Sequence, residues 1–196
     1  MKKMVWQHST PGIPETLFER GSVPLTKTEV RVIALAKLKL NIDSTVLDIG
    51  CGTGSMTVEA GLRCPRGRIT AIDRNAEAIN LTKRNAKKFG LSNVDVICGT
   101  VPEDLPDSFF DRIFIGGGGS QAPELVSYAE RHLNKNGILV ADTILLDSGY
   151  KILTALEAHN FTDIECICLN ISRGERLSGW MMKALNPIYI ISGKKH

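Results

Sequence analysis

Residues 46–54 read VLDIGCGTG. Gly50, Gly52 and Gly54 alternate with Cys51 and Thr53 after an apolar run that Asp48 interrupts. Backbone without side chains lets a ligand approach closely, so glycine-rich turns that follow a strand commonly cradle nucleotides. A second acid, Asp73, closes the run RITAID nineteen residues beyond Gly54. That spacing suits an acid that hydrogen-bonds ribose hydroxyls. The ligand expected here carries a ribose.

Asp48 restricts the ligand's charge. A dinucleotide would bring its pyrophosphate to the start of the following helix, where a nearby carboxylate repels it. The glycine spacing also departs from G-x-G-x-x-G, because Ser55 stands where the third small residue belongs. No G-x-x-x-x-G-K-[ST] motif is present. S-adenosyl-L-methionine has no phosphate and carries an ammonium and a sulfonium, which a carboxylate suits directly or through water. Cys51 is read as a small filler within the loop.

The surrounding elements must hold these groups in place. TKTEVRVIALAKLKL reads as a helix, with capping-box spacing of Thr26 and Glu29 and an apolar face of Val30, Ile33, Ala34 and Leu38. TVLDI, RITAID, NVDVIC, DRIFIG and GILVADT read as strands. Helices are expected over TGSMTVEAGL, NAEAINLTKRNAKKFG, about 121–133 and about 148–159. Such alternation implies a parallel sheet covered on both faces. FTDIECICLN and NPIYIISG close the chain without a long helix between them, and are read as an antiparallel hairpin at the sheet edge. The expected architecture is α/β, a doubly wound, mostly parallel seven-stranded sheet. Residues 1–196 form one domain, with an N-terminal segment and helix over about 1–40.

Composition agrees with that reading. The 196 residues are 43% hydrophobic and 23% charged, and the net charge of +3 does not by itself call for nucleic acid. Five cysteines without a Cys-x-x-Cys pair argue against a disulfide framework or a zinc site. No run reaches membrane-spanning or signal-peptide length, so a cytoplasmic protein is expected.

VLDIGCGTG followed by AIDRN resembles motif I and the second-strand acid of the Rossmann-like S-adenosyl-L-methionine-dependent methyltransferases. That resemblance implies that Gly50 to Gly54 contact the methionine part of the cofactor and Asp73 its ribose. It also implies that Thr100 and Val101, in CGTVPEDL, flank the adenine. Many members carry an aspartate where Thr100 stands. The tetrad Gly116, Gly117, Gly118 and Gly119 follows the fourth strand, where this superfamily places its acceptor; bare backbone there suits a large flat substrate. Neither a [DN]-P-P-[YF] motif nor a Pro-Cys nucleophile motif is present.

GIPETLF, SVPLTKTEVR, GGGGS and LNISRGERL…MMKALNPIYIISG extend the likeness over nearly the whole chain. Together they resemble the decarboxylating precorrin carbon-15 methyltransferases of cobalamin biosynthesis. That family's substrate is the tetrapyrrole precorrin-6B or its cobalt form. The resemblance implies that Thr26 contacts the cofactor and that carbon 15 attacks the sulfonium methyl in line. The carbon-12 acetate then leaves as carbon dioxide, with the ring's conjugated imine accepting the electrons. A polyanionic substrate gives Arg173 and Arg176, in the loop 169–187, a role as carboxylate clamps. Asp142 and Tyr150 are candidate acid or base groups, each with a structural reading beside it. The resemblance further implies a homo-oligomer, with a tetramer as the candidate state, to which the apolar N-terminal helix offers contacts. It also implies a separate partner protein for carbon-5 methylation. A transfer-RNA methylase using GKKH and the same cofactor site, and a non-catalytic cofactor-binding module, stay open beside this reading; no nucleic-acid partner and no membrane are expected.

Overall fold

The structure, a computed structural model, describes residues 5–117 and 121–196. The strands are β1 (Thr45–Ile49), β2 (Arg68–Asp73), β3 (Val94–Cys98), β4 (Phe110–Gly116), β5 (Leu133–Thr143), β6 (Thr162–Leu169), β7 (Ser172–Arg176), β8 (Trp180–Ala184) and β9 (Ile188–Lys194). Seven of them form one sheet in the order β3-β2-β1-β4-β5-β9-β6. The first five pair in parallel, and β9 runs antiparallel to both of its neighbours. The expected Rossmann-like doubly wound sheet is therefore present. Its closing pair is antiparallel at one edge, as expected, but the last strand lies inside and β6 forms the rim.

Helices α1 (Thr28–Leu38), α2 (Ser55–Arg63) and α3 (Ala76–Lys88) cover one face, and α4 (Ala122–His132) and α5 (Leu146–Ala158) the other. Strand alternation divides the core accordingly. Ile69 and Ala71 of β2 face the first group, and Ile72 packs with Leu125, Val126, Ile152 and Leu156 of the second.

Three expectations change. The capping box of Thr26 and Glu29 does not form: Lys27 is the N-cap and makes no side-chain cap bond. The buried side of α1 is Val30, Arg31, Ala34, Leu35 and Leu38, so Arg31 rather than Ile33 sits at its centre. That side packs on the sheet of its own chain. Residues 169–187, expected as a loop, contain the two-stranded ribbon of β7 and β8.

Arg31 explains the first two changes. Its guanidinium is fully buried and pairs with the equally buried Glu59 of α2 at 2.9 Å. It also donates to the carbonyls of Thr26 and Ile13. The Phe18 ring lies against it, 5.0 Å from centroid to Cζ. Glu59 in turn accepts the backbone N–H groups of Gly12 (2.8 Å) and Ile13 (3.1 Å). With its carbonyl held by Arg31, Thr26 stays outside the helix.

Removing one partner leaves an uncompensated buried charge, so Glu59→Ala is expected to destabilise by about 3–5 kcal/mol in urea denaturation. The double variant Arg31→Met with Glu59→Leu should recover most of that loss. It should also leave residues 12–26 more susceptible to limited proteolysis than in the wild type. A single-variant loss below about 1 kcal/mol, the range of surface pairs, would contradict the assignment.

Candidate active site

Past the carboxyl ends of β1, β2, β4 and β5, a cavity of about 1010 Å³ opens between the glycine loop and residues 23–27. Open α/β sheets bind ligands at this end, where the strand order reverses. Local chemistry builds the loop. Gly50 adopts φ +77°, and a side chain there would bring its Cβ to 2.3 Å from the Gly116 carbonyl oxygen. The turns after β1 and β4 therefore touch backbone to backbone. Gly54, also at φ +77°, begins α2 against Thr82 of α3, whose Cα would lie 2.8 Å from an added Cβ. The N–H groups of Gly50 and Cys51 both donate to the Ile72 carbonyl (2.8 and 3.2 Å), which stitches the loop to β2.

Two α3 side chains that sequence reasoning passed over hold the loop from behind. Thr82 donates to the Gly52 carbonyl (3.1 Å) and Asn85 to that of Thr53 (2.8 Å). Asn85 also exchanges both of its amide bonds with the Glu19 backbone, at 2.8 and 3.0 Å. The charged stretch KRNAKK suggests a solvated helix face, yet Asn85 within it is fully buried. The available signal was spacing: Ala78, Leu81, Thr82 and Asn85 recur at i, i+3, i+4 and i+7, which places two polar residues on an inward stripe.

Of the residues expected at a cofactor, Thr26, Gly50, Cys51, Gly52, Asp73, Thr100 and Val101 line the cavity. Asp73 accepts from Gly52 N–H (3.0 Å) on one carboxylate oxygen and from Asn75 N–H (2.9 Å) on the other. Each oxygen keeps a second lone pair for a ligand. Asp104 accepts the Thr100 N–H (2.8 Å), and Gln121 donates to the Val101 carbonyl (2.7 Å). Asp48, Thr53 and Gly54 are buried and do not line the cavity.

Asp48 is 2% exposed. One carboxylate oxygen accepts the Thr57 hydroxyl at 2.5 Å, and the other has no hydrogen-bond partner among the described residues. Burial pushes its carboxyl up to about 6; the Thr57 bond opposes this and the nearby Asp73 charge adds to it. An under-satisfied carboxylate beneath the loop fits a ligand that brings positive charge. The Cys51 thiol, buried and close to Asp48, is pushed far above the ordinary thiol range, which agrees with a filler role.

Of the expected acceptor residues, Gly116 and Gly117 line the cavity, while Gly118 and Gly119 lie outside the described residues. Asp142 lines it too; Tyr150 does not, and is 68% exposed on α5. Arg173 pairs with Glu15 at 2.6 Å and Glu29 at 2.8 Å, while Arg176 is exposed with no carboxylate partner among the described residues. Neither arginine lines the cavity. Among the described residues no acidic, histidine or cysteine cluster could hold a metal ion, and no helix is long and apolar enough to cross a membrane.

Known proteins resemble this chain over most of its length. The pattern of the precorrin methyltransferase domain matches residues 16–191. A protein of Saccharolobus solfataricus named probable cobalt-precorrin-6B C(15)-methyltransferase (decarboxylating) is 46% identical over 198 residues, covering 98% of this chain and 100% of its own. A Pyrobaculum calidifontis protein of the same name is 44% identical, covering 96% and 98%. The crystal structure of precorrin-6y C5,15-methyltransferase from Geobacter metallireducens superposes with a TM-score of 0.90 at 34% identity, covering 97% of this chain and all of that one. With a matching fold, a cavity at the strand ends and similarity along almost its full length, the chain belongs to the precorrin methyltransferase family.

Proposed function

We propose that this protein methylates carbon 15 of cobalt-precorrin-6B or precorrin-6B and removes the carbon-12 acetate as carbon dioxide. The carrying observation is the cavity itself, which joins a glycine loop and the ribose-type acid Asp73 to a backbone wall at Gly116 and Gly117, with the under-satisfied carboxylate of Asp48 buried beneath the loop. Relatives that carry this activity in their names match the chain over nearly its whole length, which supports the substrate assignment.

When bound, S-adenosyl-L-methionine supplies an electrophilic methyl group. The free lone pairs of Asp73 accept the ribose hydroxyls, and Asp48 offsets the positive charge from below the loop. Thr26, Gly50 to Gly52, Thr100 and Val101 form the walls that hold the cofactor in line with the acceptor carbon; such alignment is the main requirement for methyl transfer. Gly116 and Gly117 let the macrocycle lie close to the sheet end. Arg176 has a free guanidinium for a peripheral carboxylate. Arg173 serves as a second clamp by exchanging Glu15 and Glu29 for substrate.

The proposal extends to a cytoplasmic homo-oligomer and to a separate protein for carbon-5 methylation. Five free cysteines support a reducing compartment. Exposed Leu177, Trp180 and Met182 on the ribbon give an assembly apolar surface to bury. The Saccharolobus and Pyrobaculum relatives' names specify C(15) alone, which supports assigning carbon 5 elsewhere, although the Geobacter structure is named for both carbons.

Incubation with cobalt-precorrin-6B and cofactor should give a product heavier by one CH2 and lighter by one carbon dioxide, read by mass spectrometry. Methyl gain without carbon dioxide loss would overturn the decarboxylating reading. Arg176→Ala should raise the KM for the corrinoid about tenfold or more and leave cofactor affinity unchanged.

Calorimetry should show binding of the cofactor and its demethylated product, and none of NAD. Asp73→Ala should weaken cofactor binding by about 1–3 kcal/mol, and unchanged affinity would refute the ribose role.

Asp48 gives two pH dependences of opposite sign. Its folded-state carboxyl sits near 6 against an ordinary 3.8. The stability it contributes is therefore fully present below about pH 4 and is lost as pH rises through about 6, in all about 3 kcal/mol. Wild type measured against Asp48→Asn should show this decline in denaturant titrations. Cofactor affinity should instead rise over the same interval in wild type, as the carboxylate ionises, and rise less in the variant, where Asp142 alone of the two still titrates.

A further inference from the structure

The reaction needs a proton as well as a methyl group. When carbon dioxide leaves an acetate, the electron pair of the broken C–C bond passes into the ring. The carbon left behind becomes a methyl group only by taking up a proton. Something at the substrate must give that proton and recover it.

Five titratable side chains line the cavity: Lys27, Cys51, Asp73, Arg74 and Asp142. Both oxygens of Asp73 are engaged by backbone N–H groups. The Cys51 thiol accepts the Thr82 hydroxyl and holds its proton far too tightly. Lys27 and Arg74 are cations suited to substrate carboxylates. Asp142 is different. Its carboxyl has no side-chain partner among the described residues, its own backbone N–H being its hydrogen-bond donor.

The register explains why this side chain is free and reachable. Asp142 lies opposite Gly116 on β4 and Ile190 on β9. Gly116 has no side chain to cover it and Ile190 has no polar atom to satisfy it. On the far side of β4, Asp48 pairs with Phe114, two residues before Gly116. Asp48 and Asp142 therefore project from the same face of the sheet, with the Gly50 carbonyl packed on Gly116 between them and open space at Gly117 beside it. The carboxyl stands at the cavity wall beside the backbone against which the macrocycle is proposed to lie.

We propose that Asp142 is the catalytic acid of the decarboxylating half-reaction, protonating the carbon that the departing carboxylate leaves. This rests on the proposed corrinoid function. The Asp142 O–H bond breaks as the new C–H bond forms, and the carboxylate so produced recovers a proton that the macrocycle releases as its conjugation is restored. No oxidant, reductant or further reactant is needed. Burial, and then the field of Asp48, push the Asp142 carboxyl up to about 7, so the acid form is populated at neutral pH. The charged groups around it are Asp48 from β1 and, across the cavity, Lys27 at the start of α1; β9 presents the apolar Ile190.

The test compares wild type, Asp142→Asn and Asp142→Glu with cobalt-precorrin-6B in single-turnover and steady-state experiments. For Asp142→Asn, demethylated cofactor and carbon dioxide should form at the wild-type rate, while the final product spectrum develops about 10²–10⁴-fold more slowly. Calorimetric affinity for the cofactor should stay within about twofold of wild type. Wild-type kcat should fall as pH rises through about 7, and Asp142→Asn should lose that limb. Asp142→Glu should recover part of the rate together with the limb, and it carries the test if the asparagine variant fails to fold. Product forming in Asp142→Asn at the wild-type rate, or all signals slowing together, would overturn the role. Wild type failing to convert the corrinoid would instead defeat the functional reading on which the role rests.

Discussion

A buried charge pair organises the approach to the cavity. Arg31 and Glu59 are both inaccessible to water, and between them they hold α1, α2 and the backbone of residues 12, 13 and 26. Desolvating two charges is unfavourable, and only the number of well-formed bonds around them offsets it. An apolar pair of equal volume would pack α1 on α2 as well. It could not grip the Thr26 carbonyl. That grip, together with the bonds of Ser22 to Glu77 and the packing of Leu25, positions the wall facing the glycine loop.

The cavity itself is under electrostatic tension. Asp73 and Asp142 line it and Asp48 lies buried beneath its glycine loop, and Asp48 and Asp142 are pushed up by burial and by the charges of their neighbours. In the ligand-free protein this convergence is unfavourable, and proton uptake relieves part of it. A positively charged ligand relieves it differently, so a share of binding energy is stored as unfavourable charge in the empty site. The tight contacts of Gly50 with Gly116 and of Gly54 with Thr82 keep the acids from drifting apart. Rigidity and charge crowding thus act together.

Strands, glycine loop and family were legible because their signals are local. Apolar runs, turn residues and the interval from Gly54 to Asp73 are all read along the chain. The buried pair was not legible: Arg31 sits beside Val30 and Glu59 beside Val58, and nothing nearby in sequence says that two charges meet. The β7–β8 ribbon escaped for another reason. All of β8 is exposed, so the sequence carries no inside-outside alternation to reveal it. Asp142 could be placed at a strand end from sequence, but its freedom from partners depends on Gly116 and Ile190, which pairing alone brings beside it. Arg173, expected as a clamp for substrate carboxylates, is tied to two glutamates from distant segments, which spacing along the chain does not reveal.

The position of β9 bears on how the molecule is born. β6 joins the sheet only through β9, and β9 is translated after it. During synthesis the first five strands can assemble as the chain emerges, but residues 162–169 wait without a hydrogen-bonding neighbour until residues 188–194 leave the ribosome. Over that interval β5 and β6 each present a strand edge, the kind of surface that recruits chaperones or pairs wrongly. Ile190, the neighbour of Asp142, arrives in the same step. The nascent protein therefore acquires a finished pocket wall only when its sheet closes, and a stalled chain that stops short of β9 would lack both.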